Sequence, residues 1–343
     1  MHGPHHPVME GHAQSWPRAG AIVRAVGATG PPDYYGGKGD WISLLIGVFQ
    51  EDWPTVLILL TNDDGIYAPG LAAMRRELMR LGEVYVVAPA TEQSGVGHSI
   101  TYLTPLIVKE IYDADPEDGR EYRWGWAVEG SPADCVKIGI TTFCPRPPDL
   151  VVSGINSGLN AGINVLYSGT VAAAIEGAFF GITSVAVSLE YDEHPQYARA
   201  ARVARKTIEL ILAQKGPEPQ LYNLNIPTAA LTGKPEICVA PMNVVRCEDR
   251  FERRTDPWGR EYYWLKGGPP ETVPGHETDL SALAKGKITI TPLDYDMTRR
   301  SALAAMQQWN LQLPEESLQA EPLCEGRRPV LRAARSRKLE PKQ

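Results

Sequence analysis

With 343 residues, 43% hydrophobic and 22% charged, the chain falls in the soluble globular range and is long enough for one large α/β domain or two smaller ones. A net charge of −7 argues against a general nucleic-acid binder, which needs a basic face, but it leaves room for a small phosphorylated substrate beside a bound metal. The cysteines, Cys135, Cys144, Cys238, Cys247 and Cys324, are odd in number and form no Cys-x-x-Cys pair, so reduced thiols are expected rather than a disulfide framework or zinc cluster.

Residues 1–53 are rich in Gly, Pro and His and show little periodicity; His2, His5, His6 and His12 all fall near the start. This stretch reads as a disordered leader or an upstream start, with a weak metal-capturing tail as the sharper alternative. Its longest apolar run, Trp41 to Phe49, is far short of the roughly 20 residues that cross a bilayer. No basic start leads directly into an apolar stretch, so a cytoplasmic protein without a membrane segment is expected.

Order is expected from residue 54 to 313. Val56 to Leu60 is a continuous apolar run ending at Asn62-Asp63-Asp64-Gly65, the pattern of a strand buried on both faces. Pro69 opens a helix carrying Leu71, Met74, Leu78 and Leu81, closed by Gly82. A second strand, Val84 to Ala88, stops at Pro89. Further strands are predicted at Asp149–Val152, Ser184–Leu189, Leu221–Ile226 and Lys287–Pro292, with helices over Val171–Phe180, Tyr197–Gln214 and Ser301–Trp309. Between them, polar and aromatic segments flank Asp256-Pro257-Trp258-Gly259, predicting a protruding β-hairpin at about 244–266. From 314 the chain is Pro-, Glu- and Arg-rich and reads as a disordered tail. The fold class is α/β: a three-layer α/β/α, Rossmann-like sheet, because parallel strands need helical crossovers.

Two adjacent carboxylates directly after a buried strand are costly unless something offsets their charge. Asp63 and Asp64 sit where open α/β sheets bind ligands, and oxygen donors of this kind suit Mg²⁺ or Mn²⁺; the bland alternative is a helix cap. A covalent route of the Asp-x-Asp-Gly type is disfavoured, because Asn62 stands where the nucleophile belongs and an amide cannot form an aspartyl-phosphate. Asn156, in the turn Ser153-Gly154-Ile155-Asn156, offers a carbonyl oxygen to a metal or an NH₂ to phosphate, or simply makes a turn. Ser168-Gly169-Thr170 opens the Ala-rich helix, whose unpaired amides form an anion site if they are more than an ordinary cap. Ser94 lies beyond the second strand in a polar loop and alone reads as a loop residue. Gly130-Ser131-Pro132-Ala133-Asp134-Cys135 reads as a cap and turn, and His98, His194 and His276 as surface residues.

Together, Leu59 to Ile66 with Ala68-Pro69-Gly70, Val87-Ala88-Pro89 with Ser94-Gly95, Gly130 to Cys135, Val152 to Gly158, Tyr167 to Ala174, Thr278-Asp279-Leu280 and Ile290 to Leu293 resemble the SurE family. These are stationary-phase survival proteins acting as nucleoside monophosphate phosphatases. The resemblance runs over about residues 55–310. It implies one divalent cation per subunit, Mg²⁺ or Mn²⁺, on Asp63, Asp64, Ser94 and Asn156. It implies phosphate contacts from Ser168, Gly169 and Thr170, joined by Asn62 and Asn156, and a catalytic role for Asp279 beside Asp63 and Asp64. It further implies a homodimer or homotetramer exchanging the hairpin and C-terminal segment, and hydrolysis of nucleoside 5′- and possibly 3′-monophosphates by water. The competing readings are a non-catalytic nucleotide- or phosphate-binding protein of the same fold and a metal-dependent glycosyltransferase.

Overall fold

The computed structural model describes residues 56–115, 118–245, 249–267 and 276–313. The leader at 1–53 and the tail from 314 lie outside the described residues. The first strand, β1 (Leu57–Thr61), is buried along its whole length. Its side chains alternate between two cores. Ile58 and Leu60 pack in one cluster with Leu71, Met74 and Leu78 of helix α1 (Pro69–Leu78). Leu57 and Leu59 face the other, with Val136 of α2 (Pro132–Ile138) and Ala173 of α3 (Gly169–Phe179). Helix α4 (Tyr197–Gln214) joins the α1 side through Ala200, Ala204 and Ile208. Helices therefore cover both faces of the sheet, as the unbroken apolar run predicts. Each fully buried Leu or Ile here stabilises the fold by about 1.5–3 kcal/mol relative to exposure.

The remaining strands are β2 (Glu83–Pro89), β3 (Val108–Ala114), β4 (Glu121–Val128), β5 (Leu150–Ser157), β6 (Thr183–Leu189), β7 (Leu221–Ile226), β8 (Ile237–Val239), β9 (Asp249–Thr255), β10 (Glu261–Gly267) and β11 (Ile288–Leu293). Nine of the strands form one sheet in the order β3-β4-β2-β1-β5-β6-β7-β11-β8. From β4 to β7 the strands are parallel; β3 and β11 pair antiparallel with β4 and β7, and β8 forms the far edge parallel to β11. The chain leaves β1 toward β2 on one side and returns at β5 on the other. The crevice at the carboxyl ends of β1 and β5 is thus the topological switch point, where open α/β sheets take their ligands.

β9 and β10 form a separate antiparallel hairpin, bounded at 249–267 where about 244–266 was expected, and residues 246–248 are outside the described set. Its tip is the expected turn: Asp256 accepts hydrogen bonds from the Trp258 and Arg260 amides, and Gly259 has φ +80°. β3 and β4 were not anticipated. β3 is exposed apart from half-buried Val108 and Ile111 and carries Lys, Glu and Asp, so it lacks the apolar signal of a core strand. A short helix, α5 (Asp279–Leu283), precedes β11. From Asp296 onward the chain is a separate unit, whose described part carries one helix, α6 (Arg300–Met306), with no buried residue.

Candidate active site

The loop leaving β1 is closed by Asn62. Its Nδ2 donates to the Gly65 carbonyl at 3.0 Å and its Oδ1 accepts the Gly65 amide at 3.2 Å, while Gly65 adopts φ +99°. Asn62 is fully buried, and its two hydrogen bonds to Gly65 staple a strand end that turns tightly.

The turn delivers two carboxylates into different surroundings. Asp63 is 5% exposed, and its Oδ1 accepts the Thr170 hydroxyl at 2.6 Å. Burial raises its pKa, and the hydrogen bonds from Thr170 only partly oppose that. Asp64 is half-buried; its Oδ2 accepts the Ser157 amide at 3.1 Å. Burial first, and the charge of Asp63 second, push it up to about 6. Glu92 adds negative potential to both. Two carboxylates that resist ionisation side by side form a site that gains from a cation.

The loop after β2 is drawn to the pair: the Gln93 amide donates to the Asp63 carbonyl at 2.8 Å. Next along, Ser94 is exposed, and its hydroxyl donates to Glu92 Oε1 at 2.6 Å, which leaves the lone pairs of its oxygen for another partner. At the end of β5, Asn156 donates Nδ2 to the Gly158 carbonyl at 2.7 Å, and its Oδ1 accepts no hydrogen bond among the described residues. Asn156 is therefore turned to present an oxygen. The strand end is reached through a bulge at Gly154, where the Gly154–Ile155 peptide is cis and φ is +136°. A Cβ at Gly154 would lie 2.2 Å from the Val187 carbonyl oxygen, so no other residue fits.

Across the switch point, Ser168 caps α3, its Oγ accepting the Val171 amide at 3.2 Å. Gly169 permits close approach: a Cβ there would sit 3.0 Å from the Asp63 Cβ and 3.2 Å from its Oδ2. The Thr170 hydroxyl is committed to Asp63.

Three asparagines stand behind this helix end. Asn160 donates its amide to Asn225 Oδ1 at 2.8 Å and its Nδ2 to Ser188 at 2.9 Å; its carbonyl accepts Nδ2 of Asn223 and Asn225 at 2.7 and 3.0 Å. These support residues escaped the sequence reading. The available signal was Asn-x-Asn at period 2 in a strand that should be buried, since buried amides need partners.

Asp279 is fully buried. Its Oδ2 accepts the Gly162 amide at 2.6 Å, and its Oδ1 accepts the amides of Asn243 at 2.8 Å and Leu280 at 2.7 Å. With both oxygens accepting backbone amides, it fastens the loop ahead of α3. The cap reading of Ser131 holds: it forms a reciprocal capping box with Asp134.

No set of three or more His, Cys, Asp or Glu converges among the described residues. A cation here would instead take two carboxylates, an amide oxygen and a hydroxyl, all hard donors that suit Mg²⁺ or Mn²⁺ and not softer metals. The residues fit such an ion.

Fold and site define a doubly wound α/β protein with an acidic, oxygen-lined centre facing a helix amino end across its switch point. Residues 58–249 match the family model "Survival protein SurE". A 5′-nucleotidase SurE from Rhodopirellula baltica is 56% identical over 255 residues, covering 74% of this chain and 98% of that protein. Another from Desulforudis audaxviator is 43% identical over 257 residues, covering 74% and 96%. The crystal structure of the SurE protein from Aquifex aeolicus superposes with a TM-score of 0.62 at 34% identity, covering 73% of this chain and 98% of that one. This chain belongs to the SurE family.

Proposed function

We infer that the chain is a metal-dependent 5′-nucleotidase that hydrolyses nucleoside 5′-monophosphates to nucleoside and phosphate. The observation that carries this reading is the 2.6 Å hydrogen bond from Thr170 to Asp63, which joins the acidic pole to the amino end of α3. A cation-holding group and an anion-stabilising helix end are thereby set against each other, as in-line phosphoryl transfer to water requires. Asp63, Asp64, Asn156 through Oδ1 and Ser94 through Oγ would hold the divalent cation. When bound, it would offset the phosphate charge and lower the pKa of a nearby water. The first-turn amides of α3 and the Ser168 hydroxyl would bind the phosphoryl oxygens. Asn160, Asn223 and Asn225 keep that helix end in place, and Asp279 fixes the loop leading to it.

The names of the relatives, each a 5′-nucleotidase SurE, support the nucleotide specificity. The hairpin suits subunit exchange in a homodimer or homotetramer, because Phe251, Trp258, Tyr263, Trp264 and Leu265 all stand exposed on it. Free Cys135, Cys144 and Cys238 suit a reducing cytoplasm. Residues 54–313 would form the phosphatase domain. The test is phosphate release from nucleoside 5′- and 3′-monophosphates with Mg²⁺, Mn²⁺ or EDTA. Release in EDTA equal to that in Mn²⁺ would contradict the metal dependence.

A further inference from the structure

The segment from Ala90 to Thr101, between β2 and β3, carries Ser94 and is tied to the body along its length. The Gln93 amide donates to the Asp63 carbonyl at 2.8 Å, and the Gly97 amide to the Tyr167 carbonyl at 3.0 Å, one residue before the Ser168 cap. The Ser131 hydroxyl donates to the Ser99 carbonyl at 2.6 Å, and the Thr101 amide and hydroxyl donate to the Asp134 carboxylate. One further tie is made by a side chain of the segment itself. His98 Nε2 lies 2.9 Å from Glu176 Oε2, and its ring stacks on Phe179 with centroids 5.3 Å apart and planes 19° from parallel.

Glu176 is not an ordinary surface partner. Its side chain is 3% exposed, and its second oxygen is taken by Lys137 of α2 at 2.7 Å. An exposed ion pair is worth at most about 1 kcal/mol, whereas a buried carboxylate that loses one of its partners is left short of a hydrogen bond where water does not replace it. Glu176 also lies on α3, the helix whose first turn grips Asp63 through Thr170. The Ser94 segment is therefore held at two places, to the Asp63 carbonyl through Gln93 and to α3 through His98.

We propose that His98 is a positioning residue: by bonding Glu176 it seats the 90–101 segment on α3 and holds the Ser94 oxygen beside Asp63 and Asp64. This rests on the cation reading above for its consequence, but not for the clamp itself. Cation affinity then depends on a side chain that contributes no ligand.

Three variants test it. His98→Phe keeps a ring against Phe179 and removes the nitrogen; His98→Gln keeps a donor that can reach Glu176. Lys137→Met removes the other partner of Glu176 without touching the segment. Calorimetric titration with Mn²⁺ should show a dissociation constant about 10-fold higher in His98→Phe, the usual cost of losing a residue that orients a metal ligand. Amide hydrogen exchange across 91–101 should accelerate in the same variant. His98→Gln should restore both, and Lys137→Met should lower the melting temperature while leaving Mn²⁺ affinity near wild type. Phosphatase turnover of His98→Phe should recover when Mn²⁺ is raised to saturation. Wild-type Mn²⁺ affinity in His98→Phe, equal losses in His98→Phe and Lys137→Met, or no rescue by Gln would overturn the proposal. A wild-type chain that binds no Mn²⁺ would sink the cation reading instead, and an unchanged exchange rate in His98→Phe would still overturn the clamp.

Discussion

Asp63 and Asp64 are neighbours in the chain, yet each meets its charge differently: Asp63 is buried against Thr170, and Asp64 is half-buried under the Ser157 amide. The folded pKa of Asp64, about 6, lies above its ordinary 3.8, so the fold favours the protonated form. The stability this group contributes is fully present below pH 3.8 and is lost as pH rises through about 6. Asp64→Asn should therefore stabilise the metal-free protein at pH 7.5 by about 1–2 kcal/mol, with allowance for solvent screening at a half-buried group, and the gain should vanish below about pH 4. Saturating Mn²⁺ should reverse the order, because only the wild type gains binding energy. Thermal melts of both proteins across pH, with and without Mn²⁺, check this. Thr170→Val removes the hydroxyl donor at constant shape and should cost about 2 kcal/mol, read as a lower melting temperature, with phosphatase activity lost by 10-fold or more. At this scale the acidic pair and the capped start of α3 were legible in the sequence, because charge at the end of an apolar run and a Ser-Gly-Thr opening are conspicuous. The backbone hydrogen bonds of Asn62 and Asp279 were not, since an amide or carboxylate that accepts backbone donors has the same composition as one that serves a ligand.

Among the elements, α3 carries the most consequence. Gly169 lies in its first turn, where Ala would ordinarily favour the helix by about 0.5–1 kcal/mol. Here a Cβ would press on Asp63 at 3.0 Å and Pro132 Cγ at 3.1 Å, and the few tenths of an ångström of relief would shift the Asp63 carboxylate from its Thr170 hydrogen bond. Gly169→Ala is expected to melt within a few degrees of wild type while losing most of its phosphatase activity. The β5 bulge gives the opposite pattern. Gly154→Ala should destabilise by about 3 kcal/mol or more, because the backbone of Val187 blocks the new methyl at 2.2 Å and φ is positive; poor soluble yield or an early melt is the readout. β1, α1 and α4 could be read from apolar period and punctuation alone. β3 and β4 could not, because an edge pair with one wet face is built from Lys109, Glu110, Asp113 and Arg123 as much as from apolar residues. Their pairing with β2 is a long-range outcome that no local pattern encodes.

For the molecule as a whole, the sheet order puts the loops after β1, β2 and β5 and the start of α3 at one crevice, which is why widely separated motifs act together. The hairpin carries its aromatic residues into solvent within one subunit, so it is the element to alter when assembly is tested. Replacing Trp264 and Leu265 with Lys should shift the protein toward monomers in sedimentation, and unchanged sedimentation would remove the hairpin from the interface. No described helix is long and apolar enough to cross a membrane. The most direct test of the central claim is phosphate release from a nucleoside 5′-monophosphate by wild type and Asp64→Asn, each with Mn²⁺ and after EDTA. Activity in wild type with Mn²⁺ alone is the predicted result; equal release by Asp64→Asn, or by wild type in EDTA, would contradict an active centre built on Asp63 and Asp64.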